Sequence, residues 1–206
     1  MIKGKILKTQ KLSKRFHNIF QFTRKTAKVE LRDGSHHTFV RHVLETGPAT
    51  SILPYFFDEK TKKWHVVMVN QYRPAVDYVS LEAPGGLLEE GSDVRKEMAR
   101  ELLEEAGVSV NPKSIRIVDV QHLAASFCDQ VVYLGIVDLR IKDKKKLIES
   151  IKIQNGSVGE SEFTEVVVLP LDRLLKNKNL VKYTLARYQL HDLARRFLYQ
   201  GHKKKK

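Results

Sequence analysis

The sequence predicts an α/β protein in which a mixed β-sheet lies between helices, with a small antiparallel β domain at the N-terminus. Three observations support this fold class. Strand-length apolar segments alternate with polar turns, an acidic helical segment follows a glycine turn near the middle, and helical segments end the chain. At 206 residues the chain is long enough for one such domain and a small extension.

The N-terminal part has the pattern of paired strands. Within residues 16–43, apolar and polar residues alternate on either side of the turn Asp33-Gly34-Ser35, which predicts a β-hairpin. A hairpin of this size is not stable alone and must pack on another surface. Because Gly47-Pro48 interrupts the pattern, we predict an N-terminal β domain over residues 1–45 and a main domain over residues 46–206.

The main domain contains further strand and helix patterns. Two helices are predicted near the end, at residues 171–176 and 180–199, and the second has an apolar stripe. Strands are predicted at five places by their length and apolar content: residues 50–57, 64–71, 115–121, 131–139 and 165–169.

A glutamate-rich helix carries the strongest chemical signal. Glu101, Glu104 and Glu105 are spaced i, i+3 and i+4, so a helix places their carboxylates on one face. Such like charges repel each other unless a divalent cation with a preference for oxygen ligands offsets them. A solvated face is the alternative, but the turn Ala83-Pro84-Gly85-Gly86 and the helix stop Gly107 favour a metal-dependent site for phosphate chemistry.

This segment resembles the Nudix box, a glycine, five residues, a glutamate, seven residues, then Arg-Glu-aliphatic-x-Glu-Glu-x-Gly-aliphatic. Ser92 departs from the pattern, because it stands where the first glutamate belongs. In the family that glutamate mainly supports the loop and the following arginine. We expect Ser92 to cap the helix and to replace part of this support. The matching residues are Gly86, Arg100, Glu101, Leu102, Glu104, Glu105, Gly107 and Val108.

The flanking residues narrow the resemblance to one branch. Gln71-Tyr72-Arg73, followed by Glu82 and the glycine turn, is similar to the arrangement in ADP-ribose and nucleoside diphosphate sugar pyrophosphatases. That branch implies an α/β/α sandwich, a small N-terminal β domain used for dimerisation, and an intertwined homodimer. Residues 124–130 lack the Ser-Pro-Gly sequence usual in ADP-ribose pyrophosphatases, which favours a broader nucleoside diphosphate sugar specificity.

The resemblance also implies a metal site. The Gly85 carbonyl, Glu101 and Glu105 should hold Mg²⁺ or Mn²⁺, two to three ions per site, with Glu104 assisting directly or through water.

Substrate contacts are implied at three positions. Arg73 and Arg41 are expected to bind the substrate, and Glu82 is expected beside them. For Arg73 the alternative is a surface salt bridge. Glu82 is either a metal ligand at one remove or a buried partner of Arg100, the arginine of the box.

A late polar loop is expected to assist the attacking water. In the sugar-diphosphate branch a glutamate on such a loop often has this role, and Glu160 and Glu162 are the candidates here, with Glu162 favoured. The alternative is that both residues only keep the loop soluble.

These observations predict a Nudix hydrolase that cleaves the diphosphate of nucleoside diphosphate sugars, ADP-ribose included, to a nucleoside monophosphate and a sugar phosphate. One alternative is a Nudix hydrolase of nucleoside triphosphates or RNA 5′ ends. Another is a non-catalytic Nudix sensor that binds a nucleotide sugar. The expected partners are a nucleotide-sugar substrate and a second copy of the chain.

Composition limits the other classes of function. The net charge of +13 is a reason to consider nucleic-acid binding. The lysine runs at residues 142–146 and 203–206, however, are typical of solvated segments. No zinc-finger spacing or RNP-like motif accompanies them, so sequence-specific nucleic-acid binding is disfavoured. No apolar run has the length of a membrane span, the N-terminus lacks a signal core, and the single Cys128 fits a reducing compartment. A cytoplasmic enzyme is therefore expected.

Overall fold

The computed structural model of the chain describes residues 2–16, 19–89, 91–141, 145, 147–148, 164–177 and 179–197. These residues form two compact units. Unit 1 comprises the described residues within 1–49 and 120–132, and unit 2 comprises those within 50–119 and 133–206.

Unit 1 contains a three-stranded antiparallel sheet of β1 (Lys3–Lys11), β2 (Gln21–Glu30) and β3 (His36–Glu45), in that order. The predicted hairpin is present as β2 and β3, and Gly34 takes the left-handed conformation (φ 82°) that its turn requires. The sequence did not predict β1, because its lysine-rich sequence lacks an apolar face. All nine residues of β1 are exposed.

Unit 2 is built on a six-stranded sheet with the strand order β6-β5-β4-β8-β7, in which β9 pairs with β5. The five predicted strands are present with shifts of one or two residues at their ends, whereas the short β6 was not predicted. The strands are β4 (Ala49–Asp58), β5 (Lys63–Arg73), β6 (Tyr78–Glu82), β7 (Arg116–His122), β8 (Val131–Asp138) and β9 (Thr164–Pro170).

The helices with fully described bounds are α1 (Val94–Ala106), α2 (Leu171–Lys176) and α3 (Thr184–Phe197). A short 3₁₀ turn, Pro112–Ser114, follows α1. None of the helices in the described part of the chain is long and apolar enough to cross a membrane.

The beginning of α1 corrects one expectation from the sequence. Asp93, and not Ser92, is the N-cap, because its carboxylate accepts hydrogen bonds of 3.0 Å from the backbone N–H groups of Arg95 and Lys96. Ser92 lies one residue too early for this role, and its backbone N–H donates to the Glu89 carbonyl in the preceding turn. The helix ends as predicted, at a left-handed Gly107 (φ 65°).

Side chains of β5 alternate between two apolar cores. Val66 and Met68 pack in one cluster with residues of α2 and α3, while Val67 and Val69 pack in the other cluster with residues of α1. Since neighbouring side chains of a strand point to opposite faces, helices cover both faces of the sheet. The predicted α/β/α sandwich with a mixed sheet is confirmed.

A buried polar side chain ties α3 to the middle of the sheet. Gln189 is completely buried, and its amide nitrogen donates to the carbonyls of Ser51 and Gly135, both at 3.1 Å. Its amide oxygen accepts a hydrogen bond of 3.0 Å from the Ser51 hydroxyl. These bonds give both the nitrogen and the oxygen of the buried Gln189 amide hydrogen-bond partners.

We therefore expect Gln189→Leu to lower the free energy of unfolding by about 2–3 kcal/mol, because it leaves the Ser51 hydroxyl and two carbonyls without this partner. His191→Leu, at an exposed position of the same helix, is the control and should change stability by less than about 0.5 kcal/mol. Urea denaturation followed by circular dichroism measures both. Equal stability of the two variants would contradict the structural role of Gln189.

Candidate functional site

The glycine turn lies directly on the backbone of β4. The Thr50 N–H donates to the Gly86 carbonyl at 2.8 Å, and the Ile52 N–H donates to the Pro84 carbonyl at 2.7 Å. A Cβ atom at Gly85 would collide with the Thr50 carbonyl and lie only 2.7 Å from Ser51 Cα. Only glycine allows this approach, so the turn is fixed against the strand.

Helix α1 presents a buried stripe of carboxylates. Glu97, Glu101 and Glu105 follow one another at i, i+4 and i+8, and their exposed fractions are 8%, 6% and 6%. The helix is held in place by the adjacent apolar residues, and Met98 packs so tightly that a Cβ at Gly135 of β8 would lie 2.6 Å from its sulfur. Because an unpaired buried charge is costly, the carboxylates of this stripe need partners.

Two of these carboxylates face the glycine turn. Glu105 Oε2 accepts a hydrogen bond of 2.9 Å from the Gly85 N–H. The Glu101 carboxylate lies against Gly86, where an added Cβ would be 2.7 Å from Glu101 Cδ. Three residues predicted as metal ligands, Gly85, Glu101 and Glu105, are therefore neighbours.

Arg100 supplies positive charge to the acidic face of α1. Its guanidinium donates to the carboxylates of Glu97, Glu101 and Glu104, with 2.7 Å from Nε to Glu97 Oε1. These bonds, led by those to Glu97, raise the pKa of Arg100 far above its usual value. Glu104 is the most exposed of the three partners, with 45% of its side chain accessible.

Glu97 is a site residue that the sequence reasoning missed. It falls within the seven unspecified residues of the box, so the pattern gives it no role. Its distance of three residues from Arg100 was the available signal, because this spacing brings helical side chains together.

Arg73 and Glu82 form a paired unit on neighbouring strands. Both hydrogen bonds, from Arg73 Nε and from one terminal nitrogen to the two carboxylate oxygens, are 2.9 Å long. The pairing raises the pKa of Arg73, mainly through the hydrogen bonds to Glu82, and the charge of Glu105 adds to this effect. The buried carboxylate of Glu82 thus pairs with Arg73 and not with Arg100, the alternative considered from the sequence.

Tyr183 also belongs to this region and was not identified from the sequence. Burial raises the pKa of its hydroxyl, and the nearby charge of Glu82 raises it further. An aromatic residue just before a helix gives no sequence signal for such a place.

Three other residues predicted from the sequence, Arg41, Glu160 and Glu162, keep their roles as predictions. The contacts of Arg41 lie within unit 1, where its guanidinium donates to the Val40 carbonyl at 3.0 Å and lies 5.0 Å from the centre of the Phe39 ring. Glu160 and Glu162 lie outside the described residues.

The donors fit a divalent cation in their chemistry. Two buried carboxylates and a backbone carbonyl are the hard oxygen ligands that Mg²⁺ and Mn²⁺ prefer. Across the described residues, no group of three or more His, Cys, Asp or Glu side chains is gathered so that it could hold a metal ion. Because Glu101 is paired with Arg100, any ligation by Glu101 competes with that ion pair.

A mixed sheet between helical layers, with a glutamate-lined helix against a glycine turn, defines the class as a Nudix-type domain. Residues 46–188 match the family described as NUDIX domain, so the chain belongs to that family. The predicted family is confirmed.

Individual proteins support the same assignment. The chain is 26% identical over 117 residues to the ADP-ribose pyrophosphatase of Bacillus subtilis (strain 168). The aligned region covers 56% of this chain and 57% of that protein. It is 29% identical over 148 residues to the methanol dehydrogenase activator of Bacillus methanolicus, covering 72% of this chain and 70% of that one. The match to the Bacillus subtilis enzyme agrees with the branch that the sequence resembles.

A solved structure shares the fold over nearly the whole length. The structure described as an ADP compounds hydrolase superimposes with a TM-score of 0.66, covering 97% of this chain and 96% of the other at 18% sequence identity. At this identity the likeness concerns the fold.

Alanine substitutions at Gly85 and Gly86 should distinguish the contact of the turn with the β4 backbone from its contact with the Glu101 side chain. Gly85→Ala pushes against the backbone of β4 and should lower the free energy of unfolding by about 2–3 kcal/mol. Gly86→Ala meets the movable end of the Glu101 side chain, so we expect a smaller loss, below about 1.5 kcal/mol. Chemical denaturation of both variants measures the difference. The reverse order would contradict the described packing of the turn.

Proposed function

We propose that this protein is a Mg²⁺- or Mn²⁺-dependent hydrolase that cleaves the diphosphate of nucleoside diphosphate sugars, including ADP-ribose. One observation carries the proposal: Glu101 and Glu105, two buried carboxylates of the Nudix-box helix α1, face the Pro84–Gly86 turn. The matched relative whose name is ADP-ribose pyrophosphatase supports this substrate class. The products would be a nucleoside monophosphate and a sugar phosphate.

In this proposal the oxygen ligands come from one helix and one turn. Glu101, Glu105 and the Gly85 carbonyl would hold the cations, two to three per site, and the more exposed Glu104 would assist. When bound, the cations would offset the charge of the diphosphate and lower the pKa of a bound water. The hydrogen bond from the Gly85 N–H keeps one Glu105 oxygen directed at the turn.

Substrate binding is proposed for the Arg73–Glu82 pair and for Arg41. The buried carboxylate of Glu82 accepts hydrogen bonds from Nε and one terminal nitrogen along one edge of the Arg73 guanidinium, which restricts the group to one orientation. Since 42% of the Arg73 side chain is still accessible, an anionic phosphate can approach it. Arg41 keeps its proposed role on the basis of its place in the sequence.

For the attacking water we propose Glu162, or else Glu160, as the assisting base. The support for this role is the polar, glycine-containing sequence of residues 154–163.

A substrate panel with Mg²⁺ tests the proposed reaction: ADP-ribose, UDP- and GDP-sugars, dinucleoside polyphosphates and nucleoside triphosphates, with phosphate release coupled to a phosphatase. We expect the diphosphate sugars to be preferred. The double variant Glu101→Gln, Glu105→Gln should lower kcat/KM by at least about 100-fold, because it removes two anionic ligands. Glu59→Gln, in the exposed β4–β5 turn, should keep wild-type activity. Preference for triphosphates, or full activity of the double variant, would contradict the proposal.

We also propose that unit 1 mediates a homodimer. Its strand register places Ile6, Ala27 and Phe39 side by side on one face of the sheet, and 56% of Ile6 is exposed. The neighbouring β1 is an exposed edge strand. Ala27 and Phe39 are half-buried, and such a partly exposed apolar row beside an open sheet edge is the kind of surface that a second copy of the chain covers.

Ile6→Lys should convert the dimer to a monomer, because a desolvated lysine would oppose the apolar row. Gln10→Lys is the matched control, since Gln10 pairs with Arg24 on the opposite face of the same strands and should leave the dimer intact. Light scattering coupled to gel filtration at about 50 µM measures the mass. A monomeric wild-type protein, or two equally dissociated variants, would contradict this interface.

A further inference from the structure

The structure assigns to Glu97 the task of holding Arg100 so that Glu101 and Glu104 can bind a cation; we propose that Glu97 is a positioning residue of the site. This inference rests on the proposed metal-dependent function. It concerns the residue that replaces the support missing at Ser92.

Arg100 and a bound cation would compete for the same carboxylates. Its guanidinium pairs with Glu101 and Glu104, two of the proposed cation ligands. A carboxylate cannot give the same oxygens to a guanidinium and to a cation at full strength. Metal binding therefore weakens these two ion pairs and leaves Arg100 in need of another acceptor.

Glu97 supplies this acceptor. One of its oxygens accepts from both Nε and a terminal nitrogen of Arg100, and only 11% of its side chain is accessible. A buried carboxylate that accepts two hydrogen bonds holds a guanidinium more firmly than an exposed carboxylate does, because water competes less for the buried oxygens.

Glu97 lies one helical turn away from the nearest proposed ligand on the stripe. Along the buried stripe, Glu105 bonds to the Gly85 N–H and Glu101 lies against Gly86, whereas Glu97 is a further turn toward the N-terminus of α1. Its described partner is Arg100. Glu97 thus acts through the arginine and not as a ligand.

Position 92, where the box pattern has a glutamate, is occupied by Ser92. Ser92 lies in the turn before Asp93, the N-cap of α1, and its side chain carries no charge to balance Arg100. Glu97 provides that charge from within the helix, five residues later in the sequence. The charge balance around Arg100 is retained by a different residue.

A double-mutant cycle tests the inference, with Mn²⁺ binding to the substrate-free protein measured by electron paramagnetic resonance. Glu97→Gln keeps the size of the side chain but removes its charge, so Arg100 should bind Glu101 and Glu104 more strongly. We expect the Kd for Mn²⁺ to rise by about 10-fold or more. In an Arg100→Gln background the same change should have little effect, because the competing guanidinium is gone.

Lys96→Gln, which removes an exposed charge from the same turn of α1, is the control and should change the Mn²⁺ affinity by less than about twofold. Equal effects of Glu97→Gln in both backgrounds would overturn the inference, because they would indicate a direct or long-range charge effect. An unchanged Kd together with a lower melting temperature would overturn it as well, since Glu97 would then only stabilise the fold.

A second pair of variants keeps the inference testable if Arg100→Gln does not fold. Glu97→Ala should weaken Mn²⁺ binding, and adding Ser92→Glu should restore at least part of it by returning a carboxylate to the turn before the helix. If Ser92→Glu does not restore Mn²⁺ affinity, the idea that Glu97 replaces the glutamate missing at position 92 is contradicted.

The two proposals fail separately. A wild-type protein that binds Mn²⁺ but hydrolyses no diphosphate sugar would refute the proposed reaction and leave the cycle decisive for Glu97. A wild-type protein that binds no Mn²⁺ would refute both.

Discussion

The contact between the Pro84–Gly86 turn and the first residues of β4 is the constraint on which the rest of the site depends. Two backbone hydrogen bonds and the absence of Cβ atoms bring the turn against Thr50 and Ser51. Helix α1 then reaches the other side of the turn through Glu101 and Glu105. The strand and the turn are thereby joined by backbone hydrogen bonds, and the helix is joined to the turn by a glutamate side chain.

The electrostatics of the cluster follow from burial. Acidic side chains that point into a poorly hydrated region are tolerated only with compensating partners, and arginines supply these in two places. Arg73 is bound by Glu82 on neighbouring strands, whereas Arg100 is shared among three glutamates of one helix. The shared arrangement is the more adaptable of the two, because the loss of one partner leaves others in reach.

The sequence predicted the parts of this structure that depend on local patterns. The box helix, its stop at Gly107, the β2–β3 hairpin and the five strands predicted in the main domain follow from periodicity and turn residues. Strands β1 and β6 were missed because one is too polar and the other too short to give a pattern. Gln189 and Tyr183 depend on contacts between distant segments, and Ser92 was misjudged because the competing cap, Asp93, is its neighbour.

The hydrogen bond between the Gly85 N–H and Glu105 has a spectroscopic consequence. A glycine amide gives a resolved signal in a nitrogen–proton NMR spectrum, and its proton shift depends strongly on the charge and distance of the acceptor. Anything that draws electron density from the Glu105 carboxylate must move that signal, whether it is a proton, a cation or a displaced side chain. The backbone thus contains an intrinsic reporter, at the centre of the site, of the state of one carboxylate.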